Sequence, residues 1–247
     1  MEGPYISPAD GPRGAHRLAD VRPASVGDFN RRQDAADGRI VLVTLAPEIG
    51  GAIALIEHLV ASGVRVACGH TAAAPEQIAD AVAAGATLAT HLGNGCAQML
   101  PRHPNAIWEL LAADGVFASF IVDGHHLPPA TVKAMVRAKG IGRSILVTDA
   151  VAAAGCEPGT HTLGGVTCEL SDDGRVSLPG TPYLAGSALT LDRAIANTVR
   201  YTGLPLESVI PMASVIPAAY LGLTTRGTVH AEWDPETSDF QIRRVDD

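Results

Sequence analysis

The sequence has fewer basic than acidic residues and only four cysteines, and each of these features argues against certain classes of protein. It carries 18 Lys and Arg against 26 Asp and Glu, which gives a formal net charge of -8. A nucleic-acid binder needs clustered Lys and Arg, so this balance argues against nucleic acid as a partner. The four cysteines, Cys68, Cys96, Cys156 and Cys168, show no CxxC spacing. We interpret them as reduced thiols without a nucleophilic role in a cytoplasmic protein.

Two kinds of segment are also missing from the sequence. No apolar stretch stays free of polar residues for the roughly 18 positions that a membrane helix needs, so we expect no membrane partner. The first residues, MEGPYISPADGPRGAH, lack the basic start and apolar middle of a signal peptide. They open on turn-forming residues with no strand or helix before them, so we expect that the chain is cut at its front.

From residue 40 onward, short apolar strands alternate with helical stretches. Five strands are clear: IVLVTL (40–45), VRVACG (64–69), ATLATHL, VFASFIVDG and RSILVTDA. This alternation is typical of βαβ units and a parallel sheet. After Ala150 the pattern changes to a hairpin around the turn DDG, two helical stretches and a polar tail. We predict an α/β domain over residues 1–223 and a separate C-terminal tail over residues 224–247.

A (β/α)8 barrel explains why so many of the strands end next to a histidine or an acid. Every strand of such a barrel delivers its carboxyl end to the same face, where the active site lies. An open Rossmann-type sheet would also alternate, but it predicts a glycine-rich phosphate turn, and the sequence has no GxGxxG. The barrel is therefore favoured, and it predicts that five residues converge: Glu48, His70, His91, His126 and Asp149.

These residue types are suited to metal-assisted hydrolysis. One carboxylate and two imidazoles form a reasonable ligand set for a catalytic zinc, with the fourth position left to water. Asp149 is placed to take a proton from water and pass it to a leaving amine, and His126 could hydrogen-bond a scissile carbonyl. Each residue alone has a simpler explanation, since a lone histidine is usually structural and Glu48 or Asp149 could cap a helix. The five together are much harder to explain that way.

The sequence resembles the amidohydrolase superfamily and, within it, the N-acetylglucosamine-6-phosphate deacetylase family. The matching stretches are EGPYISPADGPRGAH, VTLAPE, GHT, THLGN, DGHH, LVTDA and LAGSALTL, in the family's order, over roughly residues 2 to 222. The combination of THLxN, DGxH and VTDA is specific rather than a generic zinc pattern.

The resemblance implies a site, a substrate and an assembly. It implies one divalent metal ion, zinc, bound by Glu48, His70 and His91, with Asp149 as the acid and base. It implies that His126 contacts the acetamido group or the sugar of an amino-sugar phosphate, and that the protein is a homodimer. The other residues that fall where the family binds its substrate are Asn94, Gly95, Arg102, His103, Leu184, Ala185 and Gly186.

Three departures from the family pattern leave alternatives open. The chain has THLGNGCAQML where the family has THLYNAM or THLFNAM, and His103 beside Arg102 would suit a different sugar. The family begins with a small β-sandwich segment and two barrel strands that we expect to be missing here. The expected fold is therefore an incomplete barrel, with residues 224–247 as a remnant of the β-sandwich.

The alternatives are a cyclic-amide hydrolase or deaminase, or a metal-binding barrel fragment without activity. The first would need an early His-x-His pair and often a carbamylated lysine. The only lysines, Lys133 and Lys139, lie in a predicted helix.

Overall fold

A computed structural model of the chain describes residues 1–246, which form two compact units that divide between Ala118 and Ser119. The first unit contains parallel strands that alternate with helices. In chain order its elements are α1 (Val26–Ala35), β1 (Leu42–Leu45), α2 (Ala52–Ala61), β2 (Arg65–Cys68), α3 (Pro75–Ala83), β3 (Leu88–Ala89), α4 (Ala106–Ala112) and the start of β4 (Phe117–Ile121). The strands are hydrogen bonded in the order β1-β2-β3-β4. The α/β class with a parallel sheet is confirmed.

The strands of the first unit are short and apolar because helices cover them. Val43, Leu45 and Val66 are fully buried, as expected for parallel strands covered on both faces. In register, Leu45 lies beside Cys68, and Cys68 lies beside Ala89. The carboxyl ends of these three strands therefore meet at one edge, which leads directly into the segments that carry His70 and His91.

The first residues of the chain extend this sheet beyond β1, although no residue pattern indicates a strand there. Glu2 forms a parallel bridge with Thr44. The amide of Thr44 donates to the carbonyl of Met1 at 2.9 Å, and the amide of Ala46 donates to the carbonyl of Tyr5 at 2.9 Å. Glu2 therefore lies beside β1, at the edge of the sheet.

Helix α1, which the sequence patterns did not predict, holds this opening segment from the side. The buried Tyr5 donates its hydroxyl hydrogen to Asp28 at 2.8 Å, and Arg32 donates to the same carboxylate oxygen at 2.8 Å. The hydrogen bond from Arg32, followed by that from Tyr5, lowers the pKa of Asp28 to about 2. The segment that presents Glu2 is thus tied to both β1 and α1.

The second unit contains the end of β4 and a more varied set of elements. They are α5 (Pro129–Lys139), β5 (Ser144–Val147), β6 (Gly159–Leu163), β7 (Val166–Leu170), β8 (Val176–Ser177), α6 (Leu191–Thr202), α7 (Leu206–Val209), α8 (Val215–Leu221), β9 (Thr228–Asp234) and β10 (Asp239–Asp246). Short 3₁₀ turns lie at Leu18–Asp20 in the first unit and at Ile141–Arg143 and Ile210–Ala213 in the second.

The region after Ala150 is more elaborate than the single predicted hairpin. Strands β6, β7 and β8 form an antiparallel sheet in that order. The predicted DDG turn joins β7 to β8, and a second turn at Gly164 and Gly165 joins β6 to β7. The tail forms an antiparallel pair, β9 with β10. Its assignment as a β-sandwich remnant, separate from residues 1–223, stays a prediction. Among residues 1–246, no helix has the length and apolar character to cross a membrane.

Candidate metal centre and acid–base residues

Two of the three predicted metal ligands lie together with a carboxylate that was not predicted. The Nε2 atoms of His70 and His91 are 3.0 Å apart. Oε1 of Glu2 lies 2.8 Å from Nε2 of His70 and 3.3 Å from Nε2 of His91. Both imidazoles are buried, whereas the Glu2 side chain is about one third exposed. The first unit therefore brings one carboxylate and two imidazoles to one point.

The carboxylate that lies in this cluster is Glu2, whereas the predicted ligand Glu48 makes other contacts. Glu48 accepts a hydrogen bond from the Thr71 hydroxyl at 2.5 Å and from the Ala72 amide at 2.7 Å. Both of its oxygens are thereby used to fix the segment just after His70. Glu48 stands three residues beyond the last residue of β1, whereas His70 and His91 stand two residues beyond β2 and β3.

His70 is held in its orientation from several sides. Its Nδ1 lies 2.8 Å from the carbonyl oxygen of Pro12, so that carbonyl accepts a hydrogen bond from Nδ1–H and leaves Nε2 for the cluster. A Cβ atom at Gly95 would lie 2.9 Å from Nδ1 of His70, so this position requires a glycine. The ring of His16 packs edge-on against His70 with centroids 4.7 Å apart.

The cluster fits a divalent cation. Zinc binds imidazole nitrogen and carboxylate oxygen at about 2.0–2.2 Å in tetrahedral geometry, which separates neighbouring ligand atoms by roughly 3.4 Å. The separations of 2.8, 3.0 and 3.3 Å are close to that value. Burial would raise the pKa of Glu2, but hydrogen bonds with His16, His70 and His91 outweigh it and hold the pKa well below its usual range. Glu2 is therefore an ionised carboxylate, as a metal ligand must be.

Asp149, the predicted acid and base, stands just beyond β5 in a tightly held segment of the second unit. The amide of Ser187 donates to the carbonyl of Asp149 at 2.9 Å, and the amide of Val151 donates to the carbonyl of Ser187 at 3.0 Å. The buried Ser187 hydroxyl also donates to the carbonyl of Thr148. A Cβ atom at Gly186 would lie 2.2 Å from Val151, so the close approach requires a glycine there.

His70, His91 and Asp149 share an uncommon backbone conformation. Their φ angles are +50°, +30° and +52°, in the left-handed region that non-glycine residues seldom adopt. Such strain persists only where the surrounding structure enforces it, and it concentrates at functional sites. This backbone conformation is a second feature, besides side-chain chemistry, that the three proposed site residues share.

His126 is paired with Asp123, to which the sequence analysis assigned no role. Oδ2 of Asp123 lies 2.6 Å from Nδ1 of His126. The neighbouring His125 turns elsewhere, with Nε2 at 3.2 Å from the carbonyl of Asp173. The two adjacent histidines therefore contact different partners. The DGHH motif itself contained the signal, because its aspartate precedes His126 by three residues.

The chain is similar in sequence to known sugar-phosphate deacetylases. The chain is 34% identical over 250 residues to an N-acetylglucosamine-6-phosphate deacetylase from Vibrio furnissii, covering 99% of this chain and 61% of the relative. It is 35% identical to an N-acetylgalactosamine-6-phosphate deacetylase from Escherichia coli O157:H7, covering 90% of this chain and 58% of that protein. No protein-family model matches the sequence.

A solved structure agrees with the sequence relatives. A mutant N-acetyl-D-glucosamine-6-phosphate deacetylase from Mycobacterium smegmatis, in complex with N-acetyl-D-glucosamine-6-phosphate, matches with a TM-score of 0.90 at 33% identity. The match covers 99% of this chain and 65% of that one. Proteins named N-acetylglucosamine-6-phosphate deacetylase are thus homologous to this chain over nearly its whole length.

These similarities support the predicted fold class. The deacetylases are amidohydrolases of the (β/α)8 type, and the predicted incomplete barrel agrees with the partial coverage of the solved structures. The chain spans about three fifths of the length of the curated deacetylases that it matches. The deacetylase family also implies a divalent metal ion, and the Glu2–His70–His91 cluster offers a place for it.

The structure positions the residues predicted to bind the deacetylase substrate without testing that role. The side-chain amide of Asn94 donates to the carbonyl of His91 at 3.2 Å, and the carbonyl of Gly95 accepts from Thr71 at 3.1 Å. These residues line a cavity of about 390 Å³ beside His70. Leu184 and Ala185 pair with β8, and Ala185 is buried.

Arg102 and His103 lie on the exposed loop after β3. Within the described residues, 1–246, the Arg102 guanidinium makes no hydrogen bond or ion pair.

The cysteines show no sign of a nucleophilic role. All four are free. Burial, followed by the nearby charge of Glu48, raises the pKa of Cys68 to about 12, and burial also raises the pKa of Cys96. A thiol must ionise to attack, so these shifts disfavour Cys68 and Cys96 as nucleophiles.

Proposed function

We propose that the protein hydrolyses the acetamido group of an N-acetylated amino-sugar phosphate, giving the free amine and acetate. N-acetylglucosamine-6-phosphate is the first candidate substrate, and cytoplasmic amino-sugar metabolism is the proposed setting. The observation that carries the proposal is the convergence of Glu2, His70 and His91 in a chain with a deacetylase sequence.

Glu2, His70 and His91 would hold the metal ion, and we propose that the ion is zinc. Two imidazoles and one carboxylate match the protein ligands of several catalytic zinc sites, which keep a position open. When bound there, the ion polarises a carbonyl and makes water more acidic. The Pro12 carbonyl and the Gly95 backbone keep the His70 ring turned toward the cluster throughout.

The remaining chemistry is proton transfer and stabilisation of charge. Asp149 takes a proton from the attacking water and then gives it to the leaving nitrogen, which must depart as an amine. His126 stabilises the charge that develops on the amide oxygen. Ser187 and Gly186 hold the backbone of Asp149, so its carboxylate needs little reorganisation during the reaction.

Substrate selection is assigned to Asn94, Gly95, Arg102, His103 and the segment from Leu184 to Gly186. Arg102 supplies the positive charge for the sugar phosphate in a protein whose net charge is -8. A homodimer, in which this loop meets a second copy of the chain, completes the proposal.

The direct test is turnover by the full chain after loading with zinc. We expect acetate release from N-acetylglucosamine-6-phosphate, measured together with the appearance of free amine. N-acetylgalactosamine-6-phosphate serves as the competing substrate, because one relative is named for it. A protein that binds one equivalent of zinc but releases no acetate from either sugar would favour the metal-binding fragment without activity.

Arg102→Ala is expected to lower kcat/KM for the phosphorylated sugar by about ten- to a hundredfold. A charge-assisted contact to phosphate is worth about 1.5–3 kcal/mol, and each 1.4 kcal/mol is about tenfold. The measurement compares N-acetylglucosamine with and without its phosphate, and the exposed Arg39, which already pairs with Asp37, provides an Arg→Ala control. Equal losses on both sugars would rule out phosphate recognition by Arg102.

A further inference from the structure

Asp123 uses both of its oxygens on the two residues of the motif that follow Gly124. Its Oδ1 accepts hydrogen bonds from the amides of His125 and His126, each at 2.8 Å. Its Oδ2 lies 2.6 Å from Nδ1 of His126. The side chains of Asp123 and His126 are only 7% and 8% exposed. The carboxylate is therefore oriented by the backbone before it meets the ring.

This arrangement determines which nitrogen of His126 carries a proton. Burial would raise the pKa of Asp123, but hydrogen bonds from the His126 ring and from the two amides outweigh it and lower the pKa. An ionised carboxylate can only accept hydrogen bonds, so Nδ1 must be the donor. A neutral His126 would then present the lone pair of Nε2, which cannot donate to a carbonyl oxygen.

We propose that Asp123 is a positioning residue that keeps the proton on Nδ1 of His126, so that His126 acts on the amide oxygen as an imidazolium. The second half of this statement rests on the proposed function, because it assumes that His126 faces an amide carbonyl. The first half concerns the chain alone. The imidazolium donates from Nε2 while Asp123 balances its charge.

The other charged and titratable groups around this loop do not compete for Nδ1. The His125 ring contacts the Asp173 carbonyl in the β7–β8 turn. On α6, the buried Asn197 donates to the Val122 carbonyl at 2.8 Å, and Arg200 donates to Asn197 at 2.9 Å. The Tyr201 hydroxyl lies where a Cβ atom at Gly124 would approach within 2.9 Å. These contacts fix the loop and leave Asp123 as the partner of His126.

Asp123→Asn tests the tautomer directly. The two backbone amides should keep the amide oxygen of Asn at the Oδ1 position, which places its NH₂ group against Nδ1 of His126. A neutral ring must then carry its proton on Nε2. Nitrogen-15 chemical shifts of the His126 ring should show the Nδ1–H form in the wild type and the Nε2–H form in the variant. His125→Ala, which retains its backbone amide, is the matched control and should leave the His126 pattern unchanged.

The pH dependence of kcat distinguishes a hydrogen-bond donor from a general base at His126. With an imidazolium donor, wild-type kcat should fall on a basic limb, because a neutral ring protonated only on Nδ1 cannot donate from Nε2. Asp123→Asn should lose that basic limb, because its neutral ring already donates from Nε2. At neutral pH its kcat should be only about five- to tenfold lower, since a neutral donor replaces a charged one.

Several results would overturn the assignment. A wild-type neutral ring protonated on Nε2 would do so without any variant, and so would an unchanged tautomer in Asp123→Asn. A basic limb that stays unchanged in Asp123→Asn would show that His126 does not act as an imidazolium. If the wild type shows no turnover, the proposed function fails and with it the imidazolium role, while the tautomer measurement still decides the role of Asp123.

Discussion

Asp149→Asn should lower kcat for N-acetylglucosamine-6-phosphate by about 10²–10⁴-fold and leave both KM and zinc content near their wild-type values. That range is expected when a general acid and base is lost, because the residue acts in the transition state rather than in substrate binding. Asn is nearly isosteric with Asp and keeps a hydrogen-bonding side chain, but it cannot carry the proton.

The control for this experiment is Asp114→Asn, since Asp114 is exposed and lies in a turn before β4. It should leave kcat unchanged. Acetate release and zinc content are measured on the same preparations of all three proteins. A near-normal kcat for Asp149→Asn would show that another group carries the proton, and His126 would be the next residue to test.

Glu2→Gln and Glu48→Gln form a matched pair that should separate a metal ligand from a residue that supports one. We expect Glu2→Gln to weaken zinc binding by more than about a hundredfold, because it removes a charged ligand of the cluster. Glu48→Gln should cost at most about tenfold, below the upper range for partners that orient ligands, since Glu48 contacts Thr71 and Ala72 rather than an imidazole. Zinc affinity is measured by competition with a chelator.

The opposite order of effects would return Glu48 to the ligand set and remove Glu2. Full zinc occupancy in both variants would place the ion elsewhere in the protein. The circular dichroism spectrum of each variant shows whether the fold survives, since Glu2 lies in the segment hydrogen bonded to β1.

The sequence predicted the strands that lead to the site better than it predicted the ligand set. His70, His91 and Asp149 follow β2, β3 and β5, because a buried parallel strand leaves an apolar run that can be recognised without a partner. Glu2 follows no such run in this sequence. Its strand character comes from backbone hydrogen bonds to β1, which no side-chain pattern records.

The hydrogen bonds that orient the site residues could not be predicted from spacing either. The contact of Ser187 with the Asp149 segment joins positions 38 apart in the chain, and the contact of Pro12 with His70 joins positions 58 apart. Asp123, the partner of His126, could have been predicted from the sequence. An aspartate three residues earlier can form hydrogen bonds with both the amide and the ring. From the sequence we assigned a role only to the histidine of the DGHH motif and none to Asp123.

The left-handed backbone at His70, His91 and Asp149 limits which amino acids can ever occupy these positions. Asn, Asp, His and Gly tolerate that conformation, whereas β-branched residues do not. The fold therefore selects for the same small set of side chains as the chemistry does. A relative that had lost its metal would still be expected to keep one of these four residue types at each position. Retention of His or Asp there is then weak evidence of activity, and Glu2, whose backbone has no such constraint, is the more informative residue to compare.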